Sequence, residues 1–180
     1  MDLEAAYLRH IMLHLECGDN DRSILKTFLN SWFAHHAGGS FVSEGKALWL
    51  SRKATKRATA SEVHAISHAA RRSLAANDLD ALVIDHTIPL AQIVGGLRSR
   101  HRRQPFTRPE DLRSYLARRF TLALITKAEH DVALAPWKAA MATGWCDDAF
   151  DRDESTRYCR YGPNAANFPF DIQRLHSPLS

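Results

Sequence analysis

Cysteine is scarce. Cys17, Cys146 and Cys159 are too few and too widely spaced for a disulfide framework, and no Cys-x-x-Cys pair offers a structural zinc knuckle. Long apolar runs are lacking too, and none approaches the length that crosses a bilayer. The first residues carry Asp2, Glu4 and Arg9 where a secretory signal would have an apolar centre, so a cytoplasmic protein with no membrane partner is expected. Repeats and low-complexity segments are absent. What remains is a 180-residue chain, 45% hydrophobic and 24% charged, with enough apolar material for one core. Its formal charge of +4 is modest, so the distribution of charge is more informative than the total.

Two apolar segments stand out. Val83-Ile84-Asp85-His86-Thr87-Ile88-Pro89-Leu90 is a β-branched run that carries an Asp-His pair and is closed by proline. About forty residues on, Thr121 to Thr126 is a second short apolar run, followed by Lys127, Ala128, Glu129, His130 and Asp131. Thr126 and Glu129 have capping-box spacing, in which the hydroxyl accepts from the third backbone N–H and the carboxylate reaches back. That spacing predicts a helix with His130 in its first turn. Antiparallel pairing of the two strands would let the start of this helix lie across the strand bearing Asp85 and His86.

At these residues the chain resembles the HNH, or ββα-metal (His-Me finger), nucleases, over roughly Leu82 to Ala140. The resemblance implies Asp85 and His130 as ligands of one divalent metal and His86 as the general base that activates water. It departs from the family at one point: the asparagine before the second strand has no counterpart among Arg119, Phe120 and Thr121. The chemistry suits these residue types. A neutral imidazole can take a proton from water near neutral pH, and a cation neutralises charge that builds on the phosphate and leaving oxygens. One carboxylate and one histidine leave most of an octahedral ion open, which suits Mg²⁺ or Mn²⁺; Zn²⁺ or Ni²⁺ could enter through the imidazole. Each half taken alone also fits a local Asp-His hydrogen bond or a carboxylate that complements a helix dipole.

From Arg98 through Arg119, eight arginines stand against Glu110 and Asp111, a formal charge of +6 between the two motif strands. Arg98, Arg100, Arg102, Arg103, Arg118 and Arg119 are the residues expected to follow a nucleic-acid backbone, as guanidinium forks suit phosphate oxygens. A solvated loop is the plain alternative.

The remaining segments set the frame. Residues 3–16 have helical spacing and stop at Cys17-Gly18, with Asp19-Asn20 placed to cap a second helix. Ile24, Leu25, Phe28, Leu29, Trp32 and Phe33 form one helical stripe ending at His35-His36, whose adjacent side chains diverge and suit a helix C-terminus better than a metal. Gly38-Gly39 marks a boundary. Ser43 is expected to cap a short helix holding Ala47, Leu48 and Leu50. Thr59 with Glu62 is expected to open a helix to about Ala76 with Val63, Ile66, Ala70 and Leu74 inward and the His64–His68 pair on a polar face. Thr107 with Glu110 is expected to cap another helix. Pro136 forces a break, the acidic run Asp147, Asp148, Asp151, Asp153 and Glu154 reads as surface, and Tyr158 to Ser180 reads as irregular chain.

Together these expectations describe an α+β protein in which a small two-stranded ββα-metal unit is embedded in a mainly helical domain. Residues 1–39 form a helical hairpin that packs on the core or on a second copy of the chain. Residues 40–180 form the HNH-like core with its basic insertion. The function expected is metal-dependent hydrolysis of phosphodiesters, in DNA rather than RNA, in the setting of phage defence, restriction or mobile elements. The alternative is a non-catalytic inhibitor or regulator on the same scaffold that occupies nucleic acid or nucleoprotein, a version favoured by the missing asparagine.

Overall fold

The computed structural model describes residues 2–18, 22–36, 42–43, 46–47, 65–137, 147–152 and 172–174. Helix α1 (Leu3–Glu16) starts where the Asp2 carboxylate accepts from the Ala5 N–H at 3.2 Å. It stops where its sequence says it should. Gly18 adopts φ +64°, and the Cys17 and Gly18 N–H groups donate to the Leu13 and Leu15 carbonyls. Helix α2 (Arg22–His36) buries Leu25, Leu29, Trp32 and Phe33 of the predicted stripe and leaves Ile24 at the surface. One carboxylate ties these helices to a third element: Glu4 Oε1 accepts from Trp32 Nε1 at 3.3 Å and lies 3.1 Å from His36 Nδ1 and 2.9 Å from Arg113 Nε.

Ser43 does not open a helix. Val42–Ser43 (β1) and Lys46–Ala47 (β2) pair antiparallel, and Leu48 and Leu50 lie outside the described residues. The helix expected from Thr59 is also corrected. Ala65–Ser67 form strand β3, and helix α3 (His68–Ala75) begins only after Ser67, whose Oγ accepts from the Ala70 N–H at 3.0 Å. Ile66, Ala70 and Leu74 keep helical spacing by coincidence, because Ile66 enters the core as a strand residue and the other two as helix residues. Thr59, Glu62, Val63 and His64 lie outside the described residues.

Strand β4 (Leu82–His86) leads into helix α4 (Leu90–Arg103), helix α5 (Pro109–Arg119) and strand β5 (Leu122–Thr126). The basic insertion is therefore two helices rather than a loop. Thr107 does not cap α5, which opens with Pro109 at its first position and Arg108 before it making no side-chain cap. After β5 the chain makes a π-helical turn (Glu129–Ala133) and a 3-10 turn (Ala135–Trp137) at the predicted Pro136 break. Helix α6 (Asp147–Arg152) and strand β6 (Ile172–Arg174) complete the elements; β6 lies within the stretch read as irregular.

The expected strand pair belongs to a larger sheet of order β4-β5-β3-β6. β4 and β5 are antiparallel, β3 runs parallel to β5, and β6 is antiparallel to β3. Helices with a small mixed sheet make the class α+β. Side chains alternate across the sheet. Leu82, Ile84, Leu122, Leu124 and Ile66 face the main core with α1, α2, α4 and α5, and Phe120 joins them by stacking on Phe33 with centroids 4.5 Å apart. The N-terminal hairpin thus packs on the sheet within that core; the Gly38-Gly39 boundary lies outside the described residues. On the opposite face Ala65, Ala123, Ile125 and Val83 are covered by Leu134.

Candidate functional site

The β4–β5 register decides where the motif residues go. Asp85 pairs with Ala123 and His86 with Leu122, so the two neighbours point to opposite faces of the sheet. His86 shares the helix-covered face, its ring set edge-on to Phe120 at 5.0 Å, and its Nε2 is sealed from solvent. Beyond it the hydroxyls of Thr87 and Thr121 hydrogen-bond, and the Thr87 N–H donates to the Thr121 carbonyl at 2.9 Å, which extends the ladder and closes this end. Asp85 lies half-buried on the other face.

The second half of the motif starts at the far end of the ladder, where Leu82 pairs with Thr126. Three residues of strand, about 10 Å, separate that end from Asp85. The capping box forms in both directions: the Glu129 N–H donates to Thr126 Oγ1 at 3.1 Å, and Glu129 Oε2 accepts from the Thr126 N–H at 2.7 Å. The same oxygen accepts from Thr126 Oγ1 at 2.9 Å and from Ser67 Oγ at 2.7 Å. Glu129 is therefore a junction at the C-terminal ends of two parallel strands, each followed by a helical turn. His130 sits in the first turn as expected, and its Nδ1 lies 2.8 Å from Asp131 Oδ1. The segment then turns back over the Asp85-bearing face, bringing Leu134 to Ala123. Strand, antiparallel strand and returning helical turn occur in the expected order. Asp85 and His130 nonetheless start from opposite ends of the ladder, and His86 faces away from both. Among the described residues no three His, Cys, Asp or Glu side chains are grouped so as to hold a metal ion.

The arginines divide. Ile93, Val94, Leu97 and His101 form the buried stripe of α4, which turns Arg102 and Arg103 to solvent and sets Arg98 and Arg100 at its edges. Arg100 Nη1 donates to the Gln104 carbonyl at 2.5 Å, and its guanidinium lies 5.5 Å from the Phe106 ring. Gly95 belongs to the same outer side, with nothing within 4 Å of where a Cβ would stand. Arg108 is exposed and hydrogen-bonded to Asp111, which holds the Asp111 carboxyl below its ordinary value and raises the guanidinium above its own.

Arg119 corrects the expectation that all six arginines follow nucleic acid. It is 1% exposed, donates to Asp151 Oδ1 at 2.7 Å and lies over Tyr115 at 3.8 Å and Phe150 at 4.6 Å. Arg118 reaches the same carboxylate at 3.5 Å. Asp151, expected only as surface charge, is thus the counter-ion of a buried arginine. Sequence reading missed this pair and Ser67. The signal for the first was Phe150 beside Asp151, an apolar anchor within an acidic run; Ser67 carried the plain N-cap signal of a serine before a helix.

Among the described residues no helix is long and apolar enough to cross a membrane. Compared with family models, curated proteins and solved structures, the chain matches none.

Proposed function

We propose that this protein binds nucleic acid, double-stranded DNA in the first instance, through the arginine-bearing outer side of α4 and the turn after it. The observation that carries this reading is one of charge and placement. Between Pro89 and Pro109 the chain has five arginines and no carboxylate. The buried stripe of α4 then turns two of them outward and leaves two at the helix edges. Phosphate contacts of this kind supply affinity without reading sequence, and they weaken steeply with salt. The reading requires no metal. Fluorescence anisotropy with a labelled duplex tests it: binding should weaken linearly on a log–log salt plot, and Arg102→Ala with Arg103→Ala should lower the slope by about two. Binding that is unchanged in this double variant would reject the assignment.

A second reading, a metal-dependent HNH-like endonuclease at Asp85, His86 and His130, is favoured by one observation, the return of the segment after β5 onto the Asp85 face. It requires His86 to leave its place against Phe120. Plasmid nicking in Mn²⁺ that disappears in His86→Ala, with the fold retained, would support it. Equal product from both proteins would remove it.

A further inference from the structure

We infer that His36, at the end of α2, is a nucleophilic imidazole that takes a phosphoryl group onto Nε2 from a small acyl phosphate, apart from the motif around Asp85 and from the arginines of α4. Three helices build the site. Glu4 comes from the first turn of α1, Trp32 and His36 from the C-terminal part of α2, and Arg113 from α5. Trp32 and His36 are four apart and therefore neighbours on one helix face, and their rings stack with centroids 4.9 Å apart and planes 18° apart.

Glu4 fixes which nitrogen is left for chemistry. Its Oε1 lies 3.1 Å from His36 Nδ1 and accepts from Trp32 Nε1 at 3.3 Å. An ionised carboxylate only accepts, so Nδ1 carries the proton and Nε2 holds the lone pair of the neutral ring. Among the described residues Nε2 makes no hydrogen bond, and unlike the Nε2 of His86 it is not sealed from solvent. The His36 side chain is 20% exposed, so a small molecule can reach it. The indole against one face and the carboxylate against one edge thus orient the ring before any donor arrives.

The charges around the ring match the transfer. Attack by Nε2 on phosphorus forms an N–P bond while the P–O bond to the acyl group breaks, and the electron pair leaves on the acyl carboxylate. No proton has to move, because Nδ1 keeps its own and the ring becomes a phosphorylated imidazolium. That positive charge develops against the Glu4 carboxylate and at the C-terminal end of α2, where the helix carbonyls favour a cation. Arg113 Nε lies 2.9 Å from the same Glu4 oxygen, an ion pair rather than an aligned hydrogen bond, with Nε sealed and the side chain as a whole 39% exposed. Ring and guanidinium share one oxygen, so the guanidinium favours an anionic phosphoryl donor over an uncharged electrophile.

The test is timed labelling of the full chain with acetyl phosphate at neutral pH, read residue by residue by peptide mass spectrometry, with ³¹P NMR to identify the nitrogen. His10 is the internal standard: it is exposed, stacks on Phe28 and has no carboxylate hydrogen bond among the described residues. His36 should be labelled about tenfold faster than His10, and Glu4→Gln should bring the ratio of the two rates close to one. Arg113→Gln should slow phosphoryl labelling of His36 and leave its acylation by uncharged diethyl pyrocarbonate unchanged. Labelling of His36 no faster than that of His10 in wild type, or an unchanged ratio in Glu4→Gln, would overturn the proposal. The wild-type ratio decides if Glu4→Gln fails to fold. An equal effect of Arg113→Gln on both reagents would overturn the assignment to phosphoryl donors. None of these results bears on duplex binding by α4, whose arginines take no part in the transfer.

Discussion

Ser67 donates its hydroxyl to the Glu129 carboxylate across 2.7 Å, joining residues 62 apart in the chain at the ends of β3 and β5. The same carboxylate oxygen accepts from the Thr126 backbone and hydroxyl, so a single side chain fixes where one strand ends and the next helical turn begins. Hydrogen bonds to a charged acceptor contribute about 1.5–3 kcal/mol in partly buried settings. Glu129→Gln, which keeps the shape and loses the charge, should lower unfolding free energy by about that amount in urea denaturation. Ser67→Ala should cost about 1–2 kcal/mol through the lost cap of α3 and the lost tie. Stability unchanged in both variants would show that the junction holds nothing.

Arg119 should behave as a structural residue rather than a ligand contact. Breaking a buried charge pair by removing one partner costs about 3–5 kcal/mol, and the half-exposed Asp151 moves the expectation to the lower end, about 3 kcal/mol for Arg119→Ala. Asp151→Asn should destabilise in the same direction and by less. In any variant that remains folded, the salt slope of DNA binding should match that of wild type. A slope reduced by one would place the guanidinium back on the surface.

Gly95 separates stability from binding. A glycine within a helix costs about 1 kcal/mol relative to alanine, and the space around Gly95 is open. Gly95→Ala should therefore raise stability by about 0.5–1 kcal/mol. If a nucleic-acid backbone passes over this side of α4, larger residues there should act oppositely: Gly95→Leu should weaken duplex binding while the protein stays folded. Undiminished affinity in Gly95→Leu would move the contact elsewhere on the helix.

The Arg108–Asp111 pair predicts a small effect of acid with a definite sign. The hydrogen bond from Arg108 depresses the folded carboxyl value, so the stabilisation is fully present above the unfolded value, about 3.9, and is lost as pH falls through the folded one. The pair is exposed, so screening keeps the effect small. Asp111→Asn should be slightly less stable than wild type at neutral pH, with the two stabilities converging as pH falls through the depressed folded value. Curves that diverge toward acid would contradict the sign.

Local signals are the most legible part of the sequence. The Cys17-Gly18 stop, the Leu25-Leu29-Trp32-Phe33 stripe and the Thr126–Glu129 box each depend on residues within one or two turns, and the structure has all three. What spacing does not reveal is long-range pairing. Ile66 satisfies a helical period as well as a strand, and only its parallel alignment with Leu124 decides between them. A charge count cannot separate Arg119 from Arg102, because the difference lies in Phe150 and Asp151 some thirty residues on. The strand–strand–helix order behind the candidate site is legible, but a two-strand pattern leaves register open, and register sends Asp85 and His86 to opposite sides.

The middle position of β3 has a consequence for assembly. Ala65 aligns with Ala123 on one side and Arg174 on the other, so both neighbours lie far downstream in the chain, the farther by about a hundred residues. During synthesis and refolding this short buried strand must wait with both edges bare, and the loop closures that cover it are of the slow, entropically costly kind. A version of the chain shortened before Ile172 would keep one edge of β3 open as a template for another molecule, and self-association should be its first symptom.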